Sequence, residues 1–139
     1  MVPKDCTFTK EHEWVYVEEG MAVIGISDYA SGELGDIVYV ELPEPGTNVK
    51  QMDPIGTIEA VKTVADIFSP VSGEVTEVNE KVIDSPEVIN SDPYGEGWFV
   101  KVKMEDPVEL DALFSYEEYQ EFLGEQEPED SEENDDEEE

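Results

Sequence analysis

From Phe8 to Val102, short runs of β-branched and aromatic residues alternate with turn residues, and no window holds an amphipathic helical pattern a dozen residues long. A chain patterned this way folds around a mainly β core. Strands are expected at about 13–17, 22–26, 37–41, 55–60, 64–69, 73–78 and 97–103, with turns at Glu18-Glu19-Gly20 and Pro43-Glu44-Pro45-Gly46. Between the second and third strands, the run from Ser27 to Gly35 offers an N-cap serine, a helical turn and a terminating glycine, so one short internal helix fits there. Gly35-Asp36-Ile37-Val38-Tyr39-Val40 resembles Gly73-Glu74-Val75-Thr76-Glu77-Val78, 38 residues later. Such a repeat supports a barrel of two similar halves that bury each other's apolar faces, although six positions leave chance likeness between two acidic strands open.

After the β core, Asp106-Pro107-Val108-Glu109 places an N-cap, an N1 proline and an N3 glutamate in order, and Ser115-Tyr116-Glu117-Glu118 forms a second capping box. Two short C-terminal helices are expected, with Val108, Leu110, Leu113 and Phe114, then Tyr119, Phe122 and Leu123 facing the barrel, and Gly124 as the stop. From Glu125 onward the composition collapses to acids with Ser, Asn, Gln and Pro, which bury too little apolar area to offset the entropy of ordering. The expected organisation is one domain over 1–124 and a disordered acidic tail over 125–139.

Charge limits the partners. The 139 residues hold 38 Asp plus Glu against 7 Lys and no Arg, a formal charge of −31. Eleven of those acids fall in the last 15 residues, so the body alone carries about −20. Scattered lysines without a guanidinium cannot build the cationic field that phosphate backbones or anionic lipid require, so neither nucleic acid nor a membrane is an expected partner. The longest apolar runs, such as Ala22-Val23-Ile24-Gly25-Ile26, fall far short of the roughly 20 residues that span a bilayer. Met1-Val2-Pro3-Lys4-Asp5 is neither a secretory signal nor an Arg-rich transit peptide, and the expected location is cytoplasmic.

The rare residues limit the chemistry. One cysteine cannot close an intrachain disulfide, and one histidine cannot anchor a Cys/His zinc site, so no metal is expected. The loop Asp92-Pro93-Tyr94-Gly95-Glu96-Gly97 loosely echoes a calcium-binding loop, but its twelfth position is Lys103. It is expected to close the barrel and pack Trp98 inward. Cys6 and His12 could supply a nucleophile and a base, yet no orienting third group or oxyanion turn accompanies them. Their plain reading is an edge thiol and a surface or strand-end histidine.

The most unusual stretch runs from Gly56 to Pro70, where two strand-like segments flank Ala60-Val61-Lys62-Thr63 with no glycine or proline at the bend. Tight hairpins ordinarily carry Asn-Gly or Asp-Gly there. A tip built from Ala-Val-Lys-Thr reads as one shaped to present Lys62 for attachment, although a lone exposed lysine is as a rule only a solvated charge.

This stretch resembles the lipoylation hairpin of the glycine cleavage H-protein family, whose tip usually reads Glu-Ser-Val-Lys; Ala60 here stands for the serine. The resemblance takes in His12-Glu13-Trp14-Val15, the run from Gly35 to Pro43, Ser69-Pro70-Val71-Ser72-Gly73-Glu74-Val75, Val78-Asn79, and the run from Ile89 to Trp98. It covers residues 7 to about 123 in the family's order and spacing.

The resemblance implies a flattened hybrid barrel-sandwich of the biotinyl/lipoyl-carrier type, acting as a non-catalytic carrier with lipoic acid in amide linkage on Lys62. The arm would take the aminomethyl group of glycine from glycine decarboxylase to aminomethyltransferase, and electrons to dihydrolipoyl dehydrogenase. A monomer is the family expectation. By motif position, Glu13 and Asp66 correspond to residues around the bound arm, while Glu11 departs from the usual serine. Glu59 and Gly73 match positions used by lipoate attachment enzymes, and Gly73 also suits close backbone approach. Biotin carriers set their lysine between methionines, unlike Val61 and Thr63. Lipoyl domains of 2-oxoacid dehydrogenases usually carry Asp-Lys-Ala and a large acyltransferase core. Acyl carrier proteins are helical, and Asp84-Ser85-Pro86 reads instead as a turn with an N-cap. The alternative on the same fold is an H-like lipoate relay protein or a non-carrier acidic adaptor that recruits basic partners.

Overall fold

The structure, a computed structural model, describes residues 3–126. Its strands are β1 (Thr7–Phe8), β2 (Glu13–Glu18), β3 (Met21–Ile26), β4 (Ile37–Glu41), β5 (Asn48–Val49), β6 (Pro54–Ala60), β7 (Val64–Phe68), β8 (Gly73–Val78) and β9 (Val100–Met104). They form a six-stranded sheet in the order β1-β2-β3-β9-β8-β5 and a three-stranded sheet in the order β4-β6-β7, with every pairing antiparallel. Val15, Ile24, Val75 and Val102 of the larger sheet share one apolar core with Ile37, Val40, Ile58 and Ile67 of the smaller. The mainly β sandwich expected from the sequence is therefore present, and the two copies of the repeat are β4 and β8, one in each sheet.

Strand β2 shows why the larger sheet is buried on both faces. Val15 points into the core between the sheets, whereas its neighbour Trp14 joins Phe8, Val23 and Tyr119 in a second, aromatic cluster on the opposite face. Helix α4 (Tyr116–Gln126) covers that face, and Phe8 stacks on Tyr119 at a centroid distance of 4.3 Å. Fully burying residues of this size stabilises by about 2–3 kcal/mol each, so the helix is part of the fold's energetics.

Helix α1 (Asp28–Leu34) is the internal helix expected, capped by the Ser27 hydroxyl, which accepts from the Ala30 N–H at 3.1 Å. Several expectations are corrected. The two-residue strands β1 and β5 are too short to show a period of two. Two more internal helices, α2 (Glu80–Asp84) and α3 (Glu87–Ser91), each bury a single anchor, Val82 and Ile89, and so carry no repeat to read. Ser85 closes α2 through its backbone N–H and caps nothing with its side chain. The last core strand starts at Val100, not 97; Phe99 is the residue fully buried, while Trp98 is half-buried with the Lys101 ammonium 5.3 Å from its ring centroid.

Of the two capping boxes, only one closes. Ser115 and Glu118 exchange side-chain to backbone hydrogen bonds at 3.2 and 2.9 Å. Asp106 caps a 3₁₀ helix over Pro107–Ala112, but the Glu109 carboxylate turns away to accept from the Ser72 N–H and hydroxyl at 2.6 and 2.7 Å, tying this turn to the strand lead-in before β8. Val108 is exposed and does not face the barrel. Helix α4 continues through Gly124 to Gln126, because an exposed glycine with open space around it tolerates helix at a cost near 1 kcal/mol. Beyond those two residues, the expected acidic tail lies outside the described residues.

Candidate functional site

Lys62 stands exposed at the turn between β6 and β7. The turn is held by its backbone: the Ala60 N–H donates to the Thr63 carbonyl at 2.8 Å, and the Val61 N–H donates to the Asp36 carbonyl at 2.9 Å. The second bond props the tip on the segment leading into β4. Gly35, at φ 80°, lies under the lysine stem, where a Cβ would sit 3.4 Å from Lys62 Cε. Among the described residues no carboxylate comes within ion-pair distance of the Lys62 ammonium, whereas Lys50, Lys81 and Lys101 pair with Glu105, Glu96 and Glu77.

Behind the tip lies a cleft of about 360 Å³ between α1, the β1–β2 turn and strands β6 and β7. Ile58 and Ala65, cross-strand partners, form its apolar floor with Leu34. Its acids are Glu11, Glu13, Glu33 and Asp66. The structure thus brings Glu13 and Asp66 to one cavity, but in different settings. Asp66 is exposed, whereas Glu13 is 1 % exposed and its oxygens accept from the Thr9 hydroxyl at 2.6 Å and the Phe68 N–H at 3.1 Å. Glu11, placed in doubt by the missing serine, is also on the wall, and its backbone N–H donates to Thr9 Oγ1.

Glu59 and Gly73 are separated. Glu59 is exposed on β6, in a row across the small sheet with Tyr39 and Val64. Gly73 is buried in the other sheet, and a Cβ there would lie 2.1 Å from the Lys103 carbonyl oxygen. Close approach of backbone by itself accounts for that glycine.

Burial opposes the charged form of Glu13 while its two donors favour it; burial is the larger effect, and the pKa is pushed from the ordinary 4.5 up to about 7. A carboxyl raised on folding contributes stability below about pH 4.5 that is lost as the pH climbs through 7, a change of about 3 kcal/mol. Glu13→Gln removes the titration. The stability of the native chain minus that of the variant is therefore expected to fall by about 3 kcal/mol between about pH 4.5 and 7. Denaturant unfolding of both proteins across that range checks this, and a difference independent of pH would contradict it.

Reading the sequence did not bring His12 or Tyr29 to the cleft they line, nor Tyr119 to the His12 ring. His12, taken as a surface or strand-end residue, lines the cleft at φ 78°, and Tyr29 packs on its ring at 5.1 Å. Tyr119 reaches the His12 ring from α4. A histidine at the end of a tight turn is the only local hint, since left-handed backbone favours His over most residues. The Cys6 thiol is buried and pushed up to about 12, the reverse of an activated nucleophile.

Comparison with known proteins adds the following. The family model described as Glycine cleavage H-protein matches residues 6–126. A glycine cleavage system H protein of Carboxydothermus hydrogenoformans is 48% identical over 126 residues, 91% of this chain and 97% of that protein. One from Staphylococcus carnosus is 50% identical over 124 residues, covering 89% and 98%. A crystal structure of a glycine cleavage system H protein from Mycobacterium marinum superposes with a TM-score of 0.81 at 35% identity, over 88% of this chain and 99% of that one.

Proposed function

This chain belongs to the glycine cleavage H-protein family of lipoyl carriers, and on that premise we propose that Lys62 bears the lipoyl arm and that the acidic cleft receives it. The observation that carries the reading is an exposed lysine, without an ion-pair partner among the described residues, on a braced turn whose following strand leads straight into the cleft. The residues fit the group in length. Asp66 is four residues beyond Lys62, at most about 14 Å of chain and less here because Lys62 and Thr63 lie in the turn before β7. A lysine stem with a lipoyl chain reaches roughly 14 Å.

When bound, the dithiolane supplies the group-carrying and redox chemistry. The chain's residues supply position and shelter. Ile58, Leu34 and Ala65 exclude water from the cleft floor, and the carboxylates of Glu11, Glu33 and Asp66 favour a cationic aminomethyl cargo over a neutral one. Glu13, held near neutrality between two protonation states, can shed its proton as positive charge arrives.

The partners of this reading are glycine decarboxylase, aminomethyltransferase and dihydrolipoyl dehydrogenase, together with lipoate attachment enzymes. One arm must visit several of them in turn, so each complex has to be brief, and a strongly acidic body raises encounter rates with basic surfaces without long-lived binding. For attachment, the exposed row of Tyr39, Glu59 and Val64 beside Val61 offers an enzyme both apolar area and a charge to read. Gly73 contributes to recognition only through the barrel shape it permits.

Expression with lipoylation enzymes followed by intact-mass and peptide analysis tests the assignment. A lipoyl increment on the peptide containing Lys62, and on no other of the seven lysines, is the expected result. An unmodified chain would favour the non-carrier adaptor.

A further inference from the structure

The imidazole of His12 is held by a hydrogen-bonded chain that starts at a helix end. Ser27 Oγ accepts from the Ala30 N–H at 3.1 Å, Tyr119 Oη lies 2.7 Å from Ser27 Oγ, and His12 Nδ1 lies 2.8 Å from Tyr119 Oη. Both Ser27 and Tyr119 are fully buried. Two hydroxyl protons leave two ways to run the chain. If Ser27 donates to Tyr119 and Tyr119 donates to Nδ1, both hydroxyl protons and Nδ1 are satisfied. If the direction is reversed, Nδ1–H donates to Tyr119, Tyr119 donates to Ser27, and the Ser27 proton finds no acceptor among the described residues. Leaving a buried hydroxyl proton unpaired disfavours that state by about tenfold or more.

The first arrangement fixes the tautomer. Nδ1 is an acceptor, the ring proton sits on Nε2, and no protein group takes up Nε2 among the described residues. Burial lowers the His12 pKa against the opposite pull of Glu11 and Glu33, which keeps the ring neutral; Tyr119, raised to about 12 by burial, stays protonated. The charged and titratable groups facing the ring are Glu11 and Glu13 on its own segment, Tyr29 and Glu33 from α1, Asp66 from β7 and Tyr119 from α4. The carboxylates among them, when ionised, only accept hydrogen bonds.

We propose that Ser27 and Tyr119 act as positioning residues that hold His12 as an Nε2–H donor toward the cleft, where it binds a hydrogen-bond acceptor of the docked arm. The proposal deepens the assignment of Lys62 and rests on it for the identity of the acceptor. The turn geometry serves the same end. His12 sits in the left-handed region, and its N–H and carbonyl are both engaged, with Thr9 and Ser27, so the backbone as well as the ring is fixed.

His12 is the only histidine in the chain, so long-range ¹H–¹⁵N correlation of the labelled, unmodified protein reports one imidazole without assignment ambiguity. The expected spectrum is that of the Nε2–H tautomer, about ten to one or more over its alternative. Tyr119→Phe should bring the two tautomers toward parity in a chain that remains folded by circular dichroism, whereas Ser27→Ala, which leaves Nδ1 as the remaining acceptor for the Tyr119 hydroxyl among the described residues, should keep the Nε2–H form dominant. A merely structural tyrosine would move the melting temperature and leave the tautomer ratio alone. Should either variant fail to fold, the native spectrum still decides, because a dominant Nδ1–H form overturns the proposal.

The acceptor is tested by loading Lys62. Octanoyl attachment places an amide carbonyl but no sulfur on the arm, and lipoyl attachment places both. A shift of the Nε2–H resonance with either load identifies the carbonyl, and a shift with lipoyl alone identifies sulfur. A resonance unmoved by both, on chains whose mass shows Lys62 loaded, overturns the contact while leaving the carrier reading intact. A chain that takes no acyl mass brings down the carrier reading and the arm contact together, and the tautomer of the unmodified protein still tests the hold on His12.

Discussion

Lys62→Arg is expected to reduce glycine turnover to background in a system reassembled from this chain with glycine decarboxylase, aminomethyltransferase and dihydrolipoyl dehydrogenase, while the protein melts within about 2 °C of the native chain. The guanidinium keeps the positive charge but is delocalised and always protonated, so it does not take an acyl group as an ε-amine does. The side chain is exposed and has no ion-pair partner among the described residues, and substitutions in such places stay within about 0.5 kcal/mol. Stability and function are thereby separated at one atom group. Undiminished turnover would end the assignment of the arm to this residue.

Gly73→Ala is expected to have the largest effect on stability, a loss of about 3 kcal/mol or more and roughly 10 °C in melting temperature. The added methyl would lie 2.1 Å from the Lys103 carbonyl oxygen and 2.8 Å from Val102 Cγ1, and the first of these is backbone that cannot step aside without breaking the β8–β9 ladder. Gly73 also starts the pairing of β5 with β8, through Val49. Thermal unfolding of the purified variant checks this. If Gly73 served only enzyme recognition, the variant would melt like the native chain and merely be lipoylated poorly.

Long strands and strong caps were legible because their signals are local. The runs that became β2, β3, β4, β6, β7 and β8 were bounded to within one or two residues, and Ser27 and Ser115 cap as their neighbours dictate. Where a residue had a nearby role and a distant one to choose between, the distant one won unseen. Glu109 has the spacing of a capping glutamate, yet Ser72, 37 residues earlier, offers two donors to one carboxylate and takes it. Helix α4 passes Gly124 because Tyr119 and Leu123 are buried against the sheet, and that burial outweighs one unfavourable helical glycine.

The cleft divides along the same line. Lys62 at a glycine-free bend, and Glu13 and Asp66 by their place in recognisable motifs, could be named without coordinates. The state of each group could not. That Glu13 is desolvated beside Thr9 and Phe68, and that His12 meets Tyr119 across 107 residues of chain, depend on which segments the sheets and α4 bring together. Sequence by itself determined the strands, the turns, the charge and the lysine, since periodicity, turn chemistry and capping act over a few residues. Tertiary structure alone decided which carboxyl is raised in pKa by burial and which partners meet the histidine ring, since desolvation and hydrogen-bond partners are properties of the packed whole.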